Sequence, residues 1–174
     1  MFSVALVGHS GLPDFPSYDD VFVDTFQSKG AILTDIWSSK FSPRMLQQNW
    51  DCVILFLGGN DLRYCRDQEE LFDRFLACFH AFNTSKIFVT DLEPRTYYDE
   101  TQWDICTEVY RGLSGVVNNR LRRYCKNRPN IDLLHVPPAY FSDTDDGIHL
   151  GPNGMSNLVA KYKKAISGYR DRFE

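Results

Sequence analysis

Cys52-Val53-Ile54-Leu55-Phe56-Leu57-Gly58-Gly59-Asn60-Asp61 is the stretch that decides the fold of this chain. Its apolar run does not alternate with polar residues, so it reads as a strand covered on both faces. That is the property of a central parallel strand lying between helices. Glycines and polar residues then stop it. Ser3-Val4-Ala5-Leu6-Val7-Gly8-His9-Ser10-Gly11 repeats the pattern: a short buried strand that ends in glycine, here beside a histidine and a serine.

Working outward, Val21–Phe26, Lys86–Thr90 and Ile131–Val136 complete five expected strands. Helical segments alternate with them. Ala31–Trp37 suits a short helix, and Ser42-Pro43 starts another, with the serine as cap. Asp67 caps a helix whose Leu71, Phe72, Phe75, Leu76, Phe79 and Phe82 share one face, read as core. A long helical pattern runs from Thr101 to Lys126 on Ile105, Val109, Leu113, Val116 or Val117, and Leu121, with a kink expected at Gly112 and Gly115. A last helix starts near Met155 and buries Leu158, Val159, Tyr162 and Ile166. This alternation predicts an α/β protein: a three-layer αβα sandwich on a five-stranded parallel sheet, strand order 2-1-3-4-5, forming a single domain over residues 1–174.

Composition narrows the function classes. The chain has 174 residues, 43% apolar and 24% charged, which suits a folded domain and not a disordered one. A formal net charge of -4 argues against nucleic acid as the partner of this domain, and Arg120-Leu121-Arg122-Arg123 reads as a solvated helix face. No apolar run reaches the roughly 18 residues of a membrane span. No signal peptide is recognised, and Asn83-Thr84-Ser85 reads as a chance acceptor sequence, so an intracellular, cytoplasmic setting is expected. Cysteines 52, 65, 78, 106 and 125 show no CxxC spacing; neither a disulfide framework nor a zinc site is indicated.

The chemistry lies in the loops. Ser10 follows the first strand, and ligands of open parallel sheets bind beyond the carboxyl ends of the strands. An activated serine needs a base in reach and a group to orient that base. Asp146 and His149 are three residues apart in a polar loop ahead of the last helix, and one tight turn sets them side by side. The tetrahedral intermediate needs donors aimed at its oxyanion. Candidates are the backbone N–H of Ser10, that of Gly30 after the second strand, and the side-chain amide of Asn60 after the third.

Gly8-His9-Ser10, Gly30, Gly58-Gly59-Asn60-Asp61 and Asp146-Gly147-Ile148-His149 together resemble the four blocks of the SGNH hydrolases, also called GDSL-type esterases. The resemblance implies the fold of that family and a metal-free, cofactor-free serine esterase. Ser10 would be the nucleophile, Asp146 and His149 the orienting acid and the base, and Ser10, Gly30 and Asn60 the oxyanion hole. The implied partner is a small acyl-ester substrate, acetyl esters first among them. The family usually has Gly-Asp-Ser; here His9 stands at the aspartate's place. The same residues more loosely resemble the esterase domains of first-open-reading-frame proteins of non-LTR retrotransposons. A reading from another class is a non-catalytic module of this fold that serves a larger polypeptide.

The other polar residues take plainer readings. His9 is expected to be structural, His80 and His135 to be satisfied core or surface histidines, and Asp61 to fix its own loop by local hydrogen bonds. Arg63, Tyr64, Arg95 and Tyr97 follow strand ends, where they either line a cleft or are solvated. An α/β-hydrolase elbow is excluded, because Leu12 stands where Gly-x-Ser-x-Gly needs its last glycine. No phosphate-binding glycine motif follows any strand.

Overall fold

The computed structural model describes residues 1–65, 67–95 and 107–173. Its strands are β1 (Phe2–Gly8), β2 (Val21–Gln27), β3 (Cys52–Phe56), β4 (Lys86–Thr90) and β5 (Ile131–Leu134). They pair in parallel in the order β2-β1-β3-β4-β5, as the alternation of elements predicts. The helices are α1 (Arg44–Gln47), α2 (Gln68–Ala81), α3 (Thr107–Cys125) and α4 (Pro152–Arg170), with 3-10 turns at Leu33–Trp37, Gly59–Arg63 and Pro138–Phe141. Among the described residues, no helix is long and apolar enough to cross a membrane.

Period-two side-chain direction divides the core. Ala5, Val7, Val53, Leu55, Ile87 and Val89 point to one face of the sheet and pack against α2 and α3. Val4, Leu6, Ile54, Phe56 and Phe88 point to the other face, toward Leu158, Tyr162 and Ile166 of α4. Each fully buried Leu or Ile contributes about 1.5–3 kcal/mol relative to an exposed one. The unbroken apolar runs of β1 and β3 are therefore the requirement of a strand with helices on both sides.

Several local expectations are corrected. The short helix expected at Ala31–Trp37 is present as a 3-10 helix, but it begins two residues later, at Leu33. The cap of α1 is Pro43 with no side-chain bond, so Ser42 contributes only its carbonyl, to the Met45 N–H. The core stripe of α3 is Tyr110, Ser114, Val117, Leu121 and Cys125, whereas Val109 and Val116 are exposed. Tyr110 is the reason: its hydroxyl reaches the Glu93 carbonyl at 3.0 Å, which turns that face inward. The helix is continuous through Gly112 and Gly115, where an added Cβ would meet open space. Strand β5 ends at Leu134, because the Val136 N–H is taken by Asp91 and not by the sheet. Helix α4 starts at Pro152, three residues earlier than Met155, with Gly151 as cap and proline at its first position. The expected helix start at Thr101, together with Tyr97, Ile105 and Cys106, lies outside the described residues.

Register brings the loops to one edge. Gly8 at the end of β1 pairs with Gln27 of β2 and with Phe56 of β3, so the three strands finish level. The segments that follow, carrying Ser10, Gly30 and Asn60, therefore leave the sheet side by side.

Candidate active site

Ser10 is exposed, just past β1. Its loop is held by backbone and side-chain bonds: Ser28 N–H donates to the Gly8 carbonyl at 3.2 Å, Gln27 Nε2 to the His9 carbonyl at 3.2 Å, and Leu12 N–H to that same carbonyl at 3.2 Å. Ser10 Oγ lies 3.2 Å from His149 Nε2, although the residues are 139 apart in sequence. His149 Nδ1 is 2.6 Å from Asp146 Oδ2.

The segment 144–149 builds that pair locally. Asp146 Oδ1 accepts the N–H groups of Ile148 and His149, each at 2.8 Å. Gly147 makes this possible with φ of 72°, a left-handed conformation that costs glycine little. Thr144 locks the turn from the other side, accepting the Gly147 N–H at 3.1 Å and donating to the His149 carbonyl at 2.5 Å. Thr144 had no signal in the sequence, since a threonine in a polar loop is ordinary. Asp143 Oδ2 accepts the Asn153 N–H at 2.8 Å and ties the loop to the start of α4.

Protonation states follow from the bonds. Burial is the largest single effect on Asp146 and raises its pKa, but the His149 backbone and imidazole donors, the Ile148 N–H and the nearby imidazole charge together outweigh it and hold the group down at about 2. A carboxylate only accepts, so the proton must sit on His149 Nδ1. Nε2 is then the acceptor, and Ser10 donates across the 3.2 Å contact.

The oxyanion candidates besides Ser10 lie on the loops after β2 and β3, and these two loops are clipped together. Asn60 Nδ2 donates to the Ala31 carbonyl at 3.2 Å, next to Gly30, whose φ of 68° is again left-handed. Asp61, wholly buried, accepts the Leu33 N–H at 3.0 Å and a bond from Arg74 at 3.0 Å. Burial pushes its carboxyl up to about 6, against the lowering by Leu33 and Arg74. Asp61 thus fixes its loop, but not by the local hydrogen bonds expected: both side-chain partners come from distant segments. No direct bond joins Ser10 to Gly30 or Asn60 among the described residues; adjacency comes from strand register and the Asn60–Ala31 bond.

His9 is 3% exposed, its ring packed 4.9 Å from that of Phe56, and Nδ1 accepts the Gly11 N–H at 2.9 Å. It is structural, as expected. His135 bonds Asp91 at 2.7 Å, and His80 is exposed on α2. Arg63 and Tyr64 are exposed. Arg95 is neither solvated nor open to a cleft: it is 4% exposed and donates to Glu93 and to Asn60 Oδ1. Its place after a strand left a cleft lining and a solvated side chain both open, and the burial of its partners decides against both. Among the described residues, no cluster of three His, Cys, Asp or Glu side chains is arranged to hold a metal ion.

No protein-family model matches the chain, and no curated protein matches it. Solved structures do. A lipase/acylhydrolase from Enterococcus faecalis superposes with a TM-score of 0.72 at 17% identity, over 97% of each chain. A GDSL-like lipase from Bacteroides thetaiotaomicron gives 0.72 at 16% identity, over 96% of this chain and 88% of that one. A member of the lipolytic G-D-S-L family from Veillonella parvula gives 0.67 at 12% identity, over 96% and 99%. At such identities the likeness is one of fold: the protein has the fold of the SGNH hydrolases, the fold its four sequence blocks imply.

Proposed function

We propose that this protein is an SGNH-type serine esterase. The observation that carries the reading is the continuous line from Ser10 Oγ through the His149 ring to Asp146, with contacts of 3.2 and 2.6 Å. His149 Nε2 takes the Ser10 proton as Oγ attacks the ester carbonyl, and Asp146 stabilises the imidazolium that forms. The N–H groups of Ser10 and Gly30 and Asn60 Nδ2 receive the developing oxyanion. Collapse transfers the proton from Nε2 to the leaving alcohol and leaves an acyl group on Ser10. Water, activated by the same imidazole, then releases the acid.

Short acyl esters, acetyl first, are the proposed substrates. In support, Ser10 is exposed and the His149 side chain is 40% exposed, so the hydroxyl is open to a small ester. The test is labelling by a fluorophosphonate probe together with hydrolysis of 4-nitrophenyl acetate. Both are expected for the wild type and lost in Ser10→Ala, which should keep the wild-type melting temperature because Ser10 is exposed. Equal turnover by Ser10→Ala, or a folded wild type that neither labels nor hydrolyses, overturns the reading.

A further inference from the structure

Glu93, in the segment after β4, is 2% exposed and takes no part in the proton transfers above. Burial alone would raise its pKa; the Arg95 guanidinium, and after it His9, hold it well below the usual carboxylate range. Its Oε1 accepts Arg95 Nε at 2.9 Å and Arg95 Nη2 at 2.5 Å, and it lies 3.3 Å from His9 Nε2. Each partner then touches one side of the candidate oxyanion hole. Arg95 Nη2 donates onward to Asn60 Oδ1 at 3.1 Å. His9 Nδ1 accepts the N–H of Gly11, the residue after Ser10, which leaves the ring proton on Nε2, the nitrogen 3.3 Å from Glu93 Oε1 but outside hydrogen-bond geometry with it.

Stability is a weak reason for such a cluster, because a buried ion pair can often be replaced by apolar groups without loss. Orientation is a stronger one. A side-chain amide has two orientations that exchange oxygen and nitrogen. Arg95 offers only donors, so it draws Oδ1 of Asn60 to itself. Nδ2 then faces the other way, with one N–H on the Ala31 carbonyl at 3.2 Å and the second available to an oxyanion. The loop is shaped around this arrangement: a Cβ on Gly59 would lie 2.7 Å from both Arg95 Nη2 and Glu93 Oε1. Helix α3 anchors the segment, with Tyr110 on the Glu93 carbonyl and Asn118 on both the N–H and the carbonyl of Leu92.

We propose that Glu93 is a positioning residue for the oxyanion hole, setting the Asn60 amide through Arg95 and the Ser10 loop through His9. The inference rests on the esterase reading. It assigns to a residue after β4 the carboxylate that the usual Gly-Asp-Ser would carry at position 9.

The test is a double-mutant cycle on 4-nitrophenyl acetate. Asn60→Ala should lower kcat by about 10²–10³-fold, the loss typical of one oxyanion donor. Arg95→Lys keeps a countercharge for Glu93 but loses the planar fork that also reaches Asn60. It should lower kcat at least about tenfold, short of the Asn60→Ala loss, with KM nearly unchanged, since the oxyanion exists only in the transition state. In the double variant Arg95→Lys should cost nothing more. Glu93→Gln should behave as Arg95→Lys does; if it does not fold, the Arg95–Asn60 cycle decides alone. Additive losses, a raised KM at constant kcat, full activity of Arg95→Lys, or its failure to fold each overturn the proposal. An active wild type with additive variants overturns this inference alone; a wild type without Ser10-dependent activity overturns the esterase reading and this inference with it.

Discussion

Asp146→Asn should disable the site by reversing a tautomer, with the fold intact. In the wild type, Oδ1 accepts two backbone N–H groups at 2.8 Å and Oδ2 faces His149 Nδ1 at 2.6 Å. An asparagine there keeps its oxygen on the two N–H donors. The opposite orientation would forfeit both bonds, at about 1 kcal/mol each, and set donors against donors. A preference of about 2 kcal/mol is roughly a 30-fold bias toward the orientation that points NH2 at His149. The imidazole must then accept at Nδ1 and carry its proton on Nε2, where it can no longer take one from Ser10. Loss of the carboxylate beside the imidazolium adds to this. The same exchange in a buried triad lowers kcat about 10⁴-fold. Here the Asp146 side chain is 47% exposed, and solvent screens part of the charge term. The expected loss is therefore about 10³–10⁴-fold in kcat, measured on 4-nitrophenyl acetate. Nitrogen NMR of His149 should show the proton move from Nδ1 to Nε2. A variant that keeps kcat within about tenfold of wild type, or an unchanged tautomer, would refute the reasoning.

Asp61 predicts a pH-dependent stability. Its folded pKa of about 6 stands above the unfolded 3.8, so its contribution is fully present below 3.8 and is lost as pH rises through 6. The loss amounts to about 3 kcal/mol at most, and urea midpoints should fall more steeply over that window in wild type than in Asp61→Asn. Gly59→Ala should destabilise by about 1–3 kcal/mol in denaturant titration, because its Cβ would press on Arg95 and Glu93. Gly30→Ala meets no neighbour within 4 Å but keeps φ of 68°, so it should cost only about 1–2 kcal/mol of backbone strain. Hydrolysis should persist in that variant, since the backbone N–H remains; its abolition in a folded protein would count against a simple N–H donor role.

Local sequence determined the elements. Short apolar runs without alternation, closed by glycine and turn residues, read as strands buried on both faces, and Lys86–Thr90 is a strand with those very ends. Asp67 caps α2 by accepting the Glu70 N–H, as a short polar side chain before a helical stripe should. The turn at Asp146–His149 was legible too, because its bonds span only three residues and rest on one glycine. Tertiary structure decided what depends on distant partners. Val109 and Tyr110 are both apolar enough to face inward, and the Glu93 carbonyl selected the tyrosine. Glu93 drew no reading from the sequence, and Arg95 was open between a cleft lining and a solvated loop; His9, Asn60 and Gly59 from two other strands' loops close around both. The meeting of Ser10 with His149 was of the same kind. Periodicity tells each segment which face to bury, but which loops then touch is set by the register of strands far apart in the chain.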